Sequence, residues 1–381
     1  MSGEGAAAPL AGLTVIELGS SVAAPFGAQI LADLGATVMK VENPDGGDDA
    51  RRWGPPFLGD TAATFHAVNR NKHSLAVDLK DADDIARLKG LIGQADIVIQ
   101  NLRPGLTERF GIAAEAMRRE NPRLIYCNLG AFGQEGPLAR AVGYDPLVQA
   151  FSGIMSVTGE PDSPPVRVGP SIVDQGTGMW CVIGILAALV RRMATGEGCV
   201  VDASLFETAL AWMTLPVANA AVTGKDPGKS GSETPMLAPY RAYEAADRFV
   251  IIAAGNDALF RRLCGVLGAP DWADLPEFAS NAKRVENRVR LNALIAEKVA
   301  ARGSDEWVAL LGAAGVPCAP VQVVSEVLAH PQTDALGIIA DLPGRSGGLV
   351  RTPLRFDGER PAVRSHAPEI GQGPAGERGE G

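Results

Sequence analysis

Histidine and cysteine are scarce in this chain, and each scarcity removes a class of chemistry. The four histidines (His66, His73, His330, His366) lie far apart and none falls in H-E-x-x-H or another metal-ligand spacing, which argues against a histidine-built metal site. The five cysteines (Cys127, Cys181, Cys199, Cys264, Cys318) are odd in number, widely spaced and without a C-x-x-C pair. Reduced thiols are expected rather than a disulfide frame or a zinc site. No G-x-S-x-G elbow and no G-x-x-x-x-G-K-[ST] phosphate loop is present, which sets aside the serine-hydrolase and P-loop readings. Basic residues are outnumbered, 35 Lys and Arg against 44 Asp and Glu, for a net charge of −9 and a pI near 5.1. That balance opposes general attraction to a polyanion, so no nucleic-acid partner is expected, and an anionic ligand must be met by a local basic patch.

Long hydrophobic runs are also missing. The most apolar one, 179–190, is too short to cross a bilayer and reads as part of a buried core helix. The opening MSGEGAAAPLAG has neither a basic n-region nor an apolar h-region. A cytoplasmic protein without a membrane partner is the expectation. What is present is a chain of 381 residues, 46% hydrophobic, enough to fold as one large or two medium domains on burial alone.

The order of elements follows from the pattern. Residues 13–18 form an apolar run, 19–25 a turn containing Gly19 and Pro25, 26–34 a stretch with helical spacing, and 36–42 a second apolar run after Gly35. This predicts a βαβ unit, and it recurs: strands at 73–79, 95–100 and 123–129, helices at 81–93 and 113–120. Such alternation predicts an α/β fold, a Rossmann-like large domain built on a mostly parallel sheet. A long helix is expected over 176–192, a strand at 200–204 and a helix over 205–222. The polar stretch 224–235 marks a boundary. Beyond it a hairpin (240–243, 249–254), helices (258–267, 285–301, 305–314) and a proline-bearing edge strand at 316–323 predict a smaller α+β domain. The resulting division is a large Rossmann-like domain over 1–222, a small domain over 228–320, a C-terminal segment over 321–370 returning to the large domain, and a mobile tail over 371–381.

The first turn imitates a dinucleotide site, with a strand, a glycine turn, a helix and Glu42 ending the next strand. Only Gly19 of the three fingerprint glycines is present, and Val22 and Ala24 place side chains where a pyrophosphate would need the backbone. An NAD-dependent oxidoreductase is set aside on that ground.

Four segments stand in register: NRNKHSLAVDLK at 69–80, QNLRPGLTERFG at 100–111, GYDPLVQAFSG at 143–153 and PSIVDQGTG at 170–178. With the opening L-x-G-x-x-V-I-E pattern, they resemble the class III coenzyme A transferases, the formyl-CoA transferase or CaiB/BaiF family, over nearly the whole chain. The resemblance implies CoA transfer from an acyl-CoA to a free carboxylic acid, with no permanently bound cofactor and with coenzyme A as part of the substrate. It also implies a homodimer of interlocked rings.

By the same resemblance Asp174 is the catalytic aspartate, whose carboxylate is acylated and then carries CoA as an aspartyl thioester. Read on its own, Asp174 is a helix cap ahead of an apolar run, and a helix N-terminus would also stabilise its anion. Gly176 and Gly178 leave room for a thioester. Lys80, Arg103 and Arg109 are aimed at CoA phosphates, with Val22, Ala23, Asn101, Leu102, Leu106 and Tyr144 lining the nucleotide or pantetheine. Lys40 or Arg51 stands in for a basic residue that some relatives have at Asn43, and Asn69, Asn71 and Lys72 either bond within the same cleft or shape a turn. Tyr144 occupies the position where the related α-methylacyl-CoA racemases carry a histidine. A tyrosine, with an ordinary pKa of about 10, is a poor second base for moving an α-proton, which demotes that alternative. The segment 225–233 corresponds to the family's glycine-rich lid, although it lacks consecutive glycines. Similarity to members using succinyl-CoA and dicarboxylates makes Arg241 a candidate partner for a distal carboxylate.

Overall fold

A computed structural model describes residues 8–374; most of the expected tail, 375–381, lies outside the described residues. The chain divides into two compact units.

The first unit runs to Ile154 and resumes over Arg167–Thr223 and from Pro331 onward. Its elements are β1 (Thr14–Leu18), α1 (Ala23–Asp33), β2 (Thr37–Glu42), β3 (Lys72–Ala76), α2 (Ala82–Gln94), β4 (Ile97–Gln100), α3 (Leu106–Phe110), α4 (Ala114–Glu120), β5 (Ile125–Gly130), α5 (Asp145–Phe151), α6 (Ile172–Thr195), β6 (Val200–Ser204), α7 (Leu205–Trp212) and α8 (Thr214–Thr223). The six strands form one sheet in the order β3-β2-β1-β4-β5-β6, and every neighbouring pair is parallel. This is the doubly wound Rossmann order, whose direction of winding reverses between β1 and β4. Val15, Ile16, Val98, Ile99, Ile125 and Tyr126 are fully enclosed, as expected of strands covered on both faces.

Helix α6 spans 24 residues, so it is long and apolar enough to cross a membrane by length and composition, contrary to the shorter run read from sequence. It begins at 172 rather than 176, which places Asp174 inside the helix. Its inward stripe, including Val173, Cys181, Val182 and Ile185, is buried. Two glycines set how closely it packs. A Cβ on Gly178 would stand 2.7 Å from the Ala23 carbonyl oxygen and 2.9 Å from the Gly27 nitrogen, and one on Gly176 would stand 2.9 Å from the Trp212 indole. These glycines therefore serve helix packing against α1 and α7, where sequence reasoning had reserved them for a thioester. Thr177 adds a hydrogen bond to Thr208 of α7 at 2.9 Å.

The C-terminal part of this unit carries the hairpin β10 (Ile339–Leu342) and β11 (Arg345–Val350), and its last described residues run along the β3 edge. Asn71 N–H donates to the Ser365 carbonyl at 3.1 Å and Ser74 N–H to that of Gln372 at 2.9 Å. Backbone groups that an edge strand would leave unpaired are thus covered.

The second unit comprises Met155–Val166 and Gly224–His330. Its antiparallel sheet places β8 (Phe249–Ala253) between β7 (Tyr240–Glu244) and the edge strand β9 (Cys318–Pro320). Helices Asp257–Val266, Arg288–Val299 and Ser304–Ala313 pack on it around Phe260, Phe278, Ile295 and Trp307. The unit extends past 320 to His330, because Arg248 binds Glu326 at 2.7 Å. It also takes in 155–166, to which Lys229 is tied through the Ser163 and Pro164 carbonyls at 2.6 and 2.8 Å.

Replacing Gly178 by alanine forces α1 and α6 apart. Thermal unfolding is expected to show a loss of about 1–3 kcal/mol, against little change for Gly90→Ala, where a Cβ meets nothing.

Candidate active site

Ligands of doubly wound sheets bind outside the carboxyl ends of the strands where the order reverses, here after β1 and β4. Asn101 spans that point: its Oδ1 accepts the Ser20 N–H at 3.0 Å and its Nδ2 donates to the Ser20 carbonyl at 2.9 Å. Beside it Gln100 holds the Leu102 N–H at 2.8 Å and donates to Asn128 at 2.8 Å, and Asn128 in turn donates to Asp202 at 2.8 Å. A line of amide side chains thus crosses the carboxyl ends of β4, β5 and β6.

The first turn is fastened from below by buried charge. Glu17 meets Lys40 at 2.9 Å and Lys72 at 2.8 Å, and Lys40 also meets Asp48 at 2.8 Å. The same groups hold the backbone: Lys40 donates to the Gly19 carbonyl at 2.7 Å, Lys72 to that of Pro25 at 2.8 Å, and Asp48 accepts the Ser21 N–H at 3.1 Å. Ser21 sits at φ 71°, an uncommon conformation for a non-glycine residue that its surroundings must enforce. Burial would push the Lys40 ammonium down, yet Glu17, Asp48 and Glu42 together hold it above its ordinary value. In Lys72 burial prevails over Glu17 and brings the ammonium down to about 8.

Lys40 is wholly enclosed, and Arg51 is bonded to Glu42 at 2.8 Å and to the Pro368 carbonyl at 2.9 Å. Neither is available as the nucleotide contact that sequence reasoning allowed them. Asn69 accepts from Lys72 at 2.7 Å, and Asn71 donates to Asp33 at 2.8 Å in a turn with φ 62°. Both are structural.

The remaining candidates lie at the carboxyl edge. Val22 and Ala23 are buried at the start of α1, so contact there is restricted to their backbone. Lys80 is exposed in the turn that follows β3. Arg103 is exposed after β4, Leu106 opens α3 behind Gly105 at φ 89°, and Arg109 is exposed on α3 with its guanidinium 5.8 Å from the Phe110 ring centre. Tyr144 is 58% exposed and precedes α5. Arg241, in the second unit, is already paired with Glu233 at 2.6 Å, so a distal carboxylate would have to displace an internal one.

Asp174 occupies the first turn of α6 but does not cap it. That role belongs to Asp145 on α5, a buried residue not singled out from the sequence although it lies inside the GYDPLVQ segment. Its Oδ2 accepts the N–H groups of Val173 at 2.8 Å and Asp174 at 3.2 Å, while Oδ1 accepts from Gln149 at 2.6 Å. Gln149 accepts the Val168 N–H at 2.9 Å, fixing the approach to α6. The helix terminus is therefore occupied, and Asp174 gains no stabilisation of its anion from those two donors. Burial, and secondarily the Asp145 charge, raise the Asp174 carboxyl to about 7. Sequence reasoning had expected the terminus to favour that anion. Gly178 lies one turn beyond Asp174 on the same helical face and touches the Ala23 carbonyl, which sets the Asp174 face of α6 toward the first turn of α1.

With this geometry in view, the profile of CoA-transferase family III matches residues 10–373. The chain belongs to that family. A class III CoA-transferase moves CoA between an acyl-CoA and a carboxylic acid, and that is the activity of this enzyme. It is 38% identical to the succinate–glutarate CoA-transferase of Agrobacterium fabrum, over 95% of this chain and 94% of that protein. It is 39% identical to the acetyl-CoA:oxalate CoA-transferase of Acetobacter aceti, over 95% and 93% of the two chains. A solved CaiB/BaiF family protein from Brucella suis superposes with a TM-score of 0.86 at 39% identity, covering 96% of this chain and 97% of the other.

The raised carboxyl has a thermodynamic signature. A folded-state pKa of about 7 against an unfolded value of 3.8 means the native protein binds the extra proton, so stability falls as pH rises through that window. Asp174→Asn is expected to match wild type in unfolding temperature near pH 4 and to exceed it by pH 8.

Proposed function

We propose that this CoA-transferase works through a covalent relay on Asp174, with a short-chain dicarboxylic acyl-CoA such as succinyl-CoA as donor and a second dicarboxylate as acceptor. The observation that carries this reading is a half-buried carboxyl held near neutrality, released from helix capping by Asp145. A carboxylate of raised pKa is a stronger nucleophile than an ordinary one, yet it remains substantially ionised at pH 7. The relatives' activities, exchanging CoA between succinate and other dicarboxylates, support the substrate class.

In the first step an Asp174 carboxylate oxygen attacks the thioester carbonyl, the C–S bond breaks, and CoA thiolate leaves an acyl–aspartyl anhydride. The thiolate then attacks the Asp174 carbonyl carbon and the donor acid departs as its carboxylate, leaving an aspartyl thioester. The acceptor carboxylate repeats the sequence in reverse, and Asp174 is regenerated as the anion. No redox equivalent or metal is required, and each bond formed resembles the one broken in energy.

Lys80, Arg103 and Arg109 supply the positive charge for CoA phosphates, and they compensate locally for a net charge of −9. The backbone of Val22–Ala23 and the side chains of Asn101, Leu102, Leu106 and Tyr144 line the pantetheine path. The racemase alternative gains no support, since a tyrosine stands at 144 where those enzymes carry a histidine. A homodimer is part of the reading. Met179, Trp180 and Ile183 on α6 and Trp212 and Leu215 on α7–α8 are 46–65% exposed; exposed apolar side chains can mark an interaction surface, and a second copy would cover them. Sedimentation at twice the 39.6 kDa chain mass checks this.

The direct assay follows CoA exchange from succinyl-CoA to a panel of mono- and dicarboxylates. Wild type is expected to turn over with dicarboxylates, and Asp174→Asn to lose at least about 10³-fold in kcat/KM. Activity should rise with pH up to about 7, and Asp145→Asn should move that limb to lower pH. Exchange surviving intact in Asp174→Asn overturns the assignment.

A further inference from the structure

The C-terminal return of the first unit concentrates positive charge where none of the residues named for acyl-CoA lies. Arg351, Arg355 and Arg360 border a cavity of about 220 Å³ together with Asp334 and Glu359. Among the described residues none of the three arginines stands in an ion pair, unlike Arg70, Arg192, Arg284 and others of this chain. Their bonds go to backbone carbonyls instead. Arg355 and Arg360 both donate to Leu336, at 2.7 and 3.3 Å, and Arg351 donates to Gly337 at 3.2 Å and Pro361 at 2.9 Å.

Closing the carbonyl end of the helix Pro331–Leu336 explains one guanidinium, since cations at that end are favourable. It does not explain three. Like charges crowded on one short segment repel, and the carbonyls that hold them here carry only partial charge. Two donors remain unused as well: the Nε atoms of Arg351 and Arg360 are buried without a hydrogen-bond partner, which is costly when nothing is bound. Clustered guanidiniums are the usual way proteins grip tetrahedral oxyanions, and the cavity is too small for a whole nucleotide.

We propose that Arg351, Arg355 and Arg360 form a binding site for a phosphate-sized oxyanion, either inorganic phosphate or the phosphomonoester of a larger molecule. Asp334 and Glu359 on the rim lower the net charge to +1 and favour a ligand presented at the mouth by one phosphate over a polyanion.

Titration calorimetry with inorganic phosphate, at constant ionic strength with chloride as the reference salt, tests the site. One saturable site per chain is expected in wild type, weakened at least ten-fold in Arg355→Gln and partly restored in Arg355→Lys. Arg355 is exposed, so circular dichroism and unfolding temperature should confirm an intact fold. Asp174→Asn should bind phosphate as wild type does. Unsaturable heat, or equal affinity in wild type and Arg355→Gln, overturns the proposal. A second arm compares CoA with 3′-dephospho-CoA. If wild type prefers CoA and Arg355→Gln does not, the phosphomonoester belongs to CoA; if Arg355→Gln alters phosphate affinity alone, the site takes the free ion.

Discussion

Two lysines and two carboxylates sealed under the first turn hold the rest of the site in place. Glu17, Lys40, Lys72 and Asp48 pair with one another, and Lys40, Lys72 and Asp48 each hold one backbone group between Gly19 and Pro25. Buried ion clusters give little net stability, but removing one member leaves an uncompensated charge and costs about 3–5 kcal/mol. What this cluster supplies is a single conformation for a turn that includes Ser21 at positive φ. From there rigidity passes along α1 to Gly27 and across the glycine contact to α6, so the start of the long helix is placed by charge buried beneath β1 and β2.

On that helix two aspartates divide roles that one might have filled. Asp145 is enclosed and takes two N–H donors of the α6 terminus, a place where negative charge is favourable. Asp174, half-buried beside it, receives no such donors and feels the Asp145 charge, so its carboxyl titrates near neutrality. Identical functional groups separated by environment is a familiar way to obtain distinct reactivities from carboxylates. In the proposed acyl transfer, that added basicity would favour Asp174 as the attacking carboxylate.

Much of the first unit was legible in the sequence because each β-strand is a short apolar run followed by a turn signal, and the regular alternation admits only a parallel sheet. Asp174 was legible as a candidate through motif register. Three features were not. Lys40 and Lys72 look like surface bases on a linear reading; the strand register puts Lys40 opposite Glu17, and the folded contact brings Lys72 to the same carboxylate. Gly176 and Gly178 gave no sign of being helix-crossing residues, since their partner helices lie some 35 positions (α7) and some 150 positions (α1) away in the chain. Asp145 was hidden by proximity to Tyr144; its pairing with α6 spans 28 positions, beyond any local capping rule. In each case the missing information was long-range contact, which composition and period do not carry.

The central claim is that Asp174 becomes covalently modified during transfer. Wild type and Asp174→Asn should be incubated with succinyl-CoA, quenched with hydroxylamine, digested and mapped by peptide mass spectrometry. The account predicts a hydroxamate on Asp174 in wild type and no adduct at any carboxylate in the variant. An unmodified Asp174 in enzyme that is turning over, or an adduct on another residue, would contradict it.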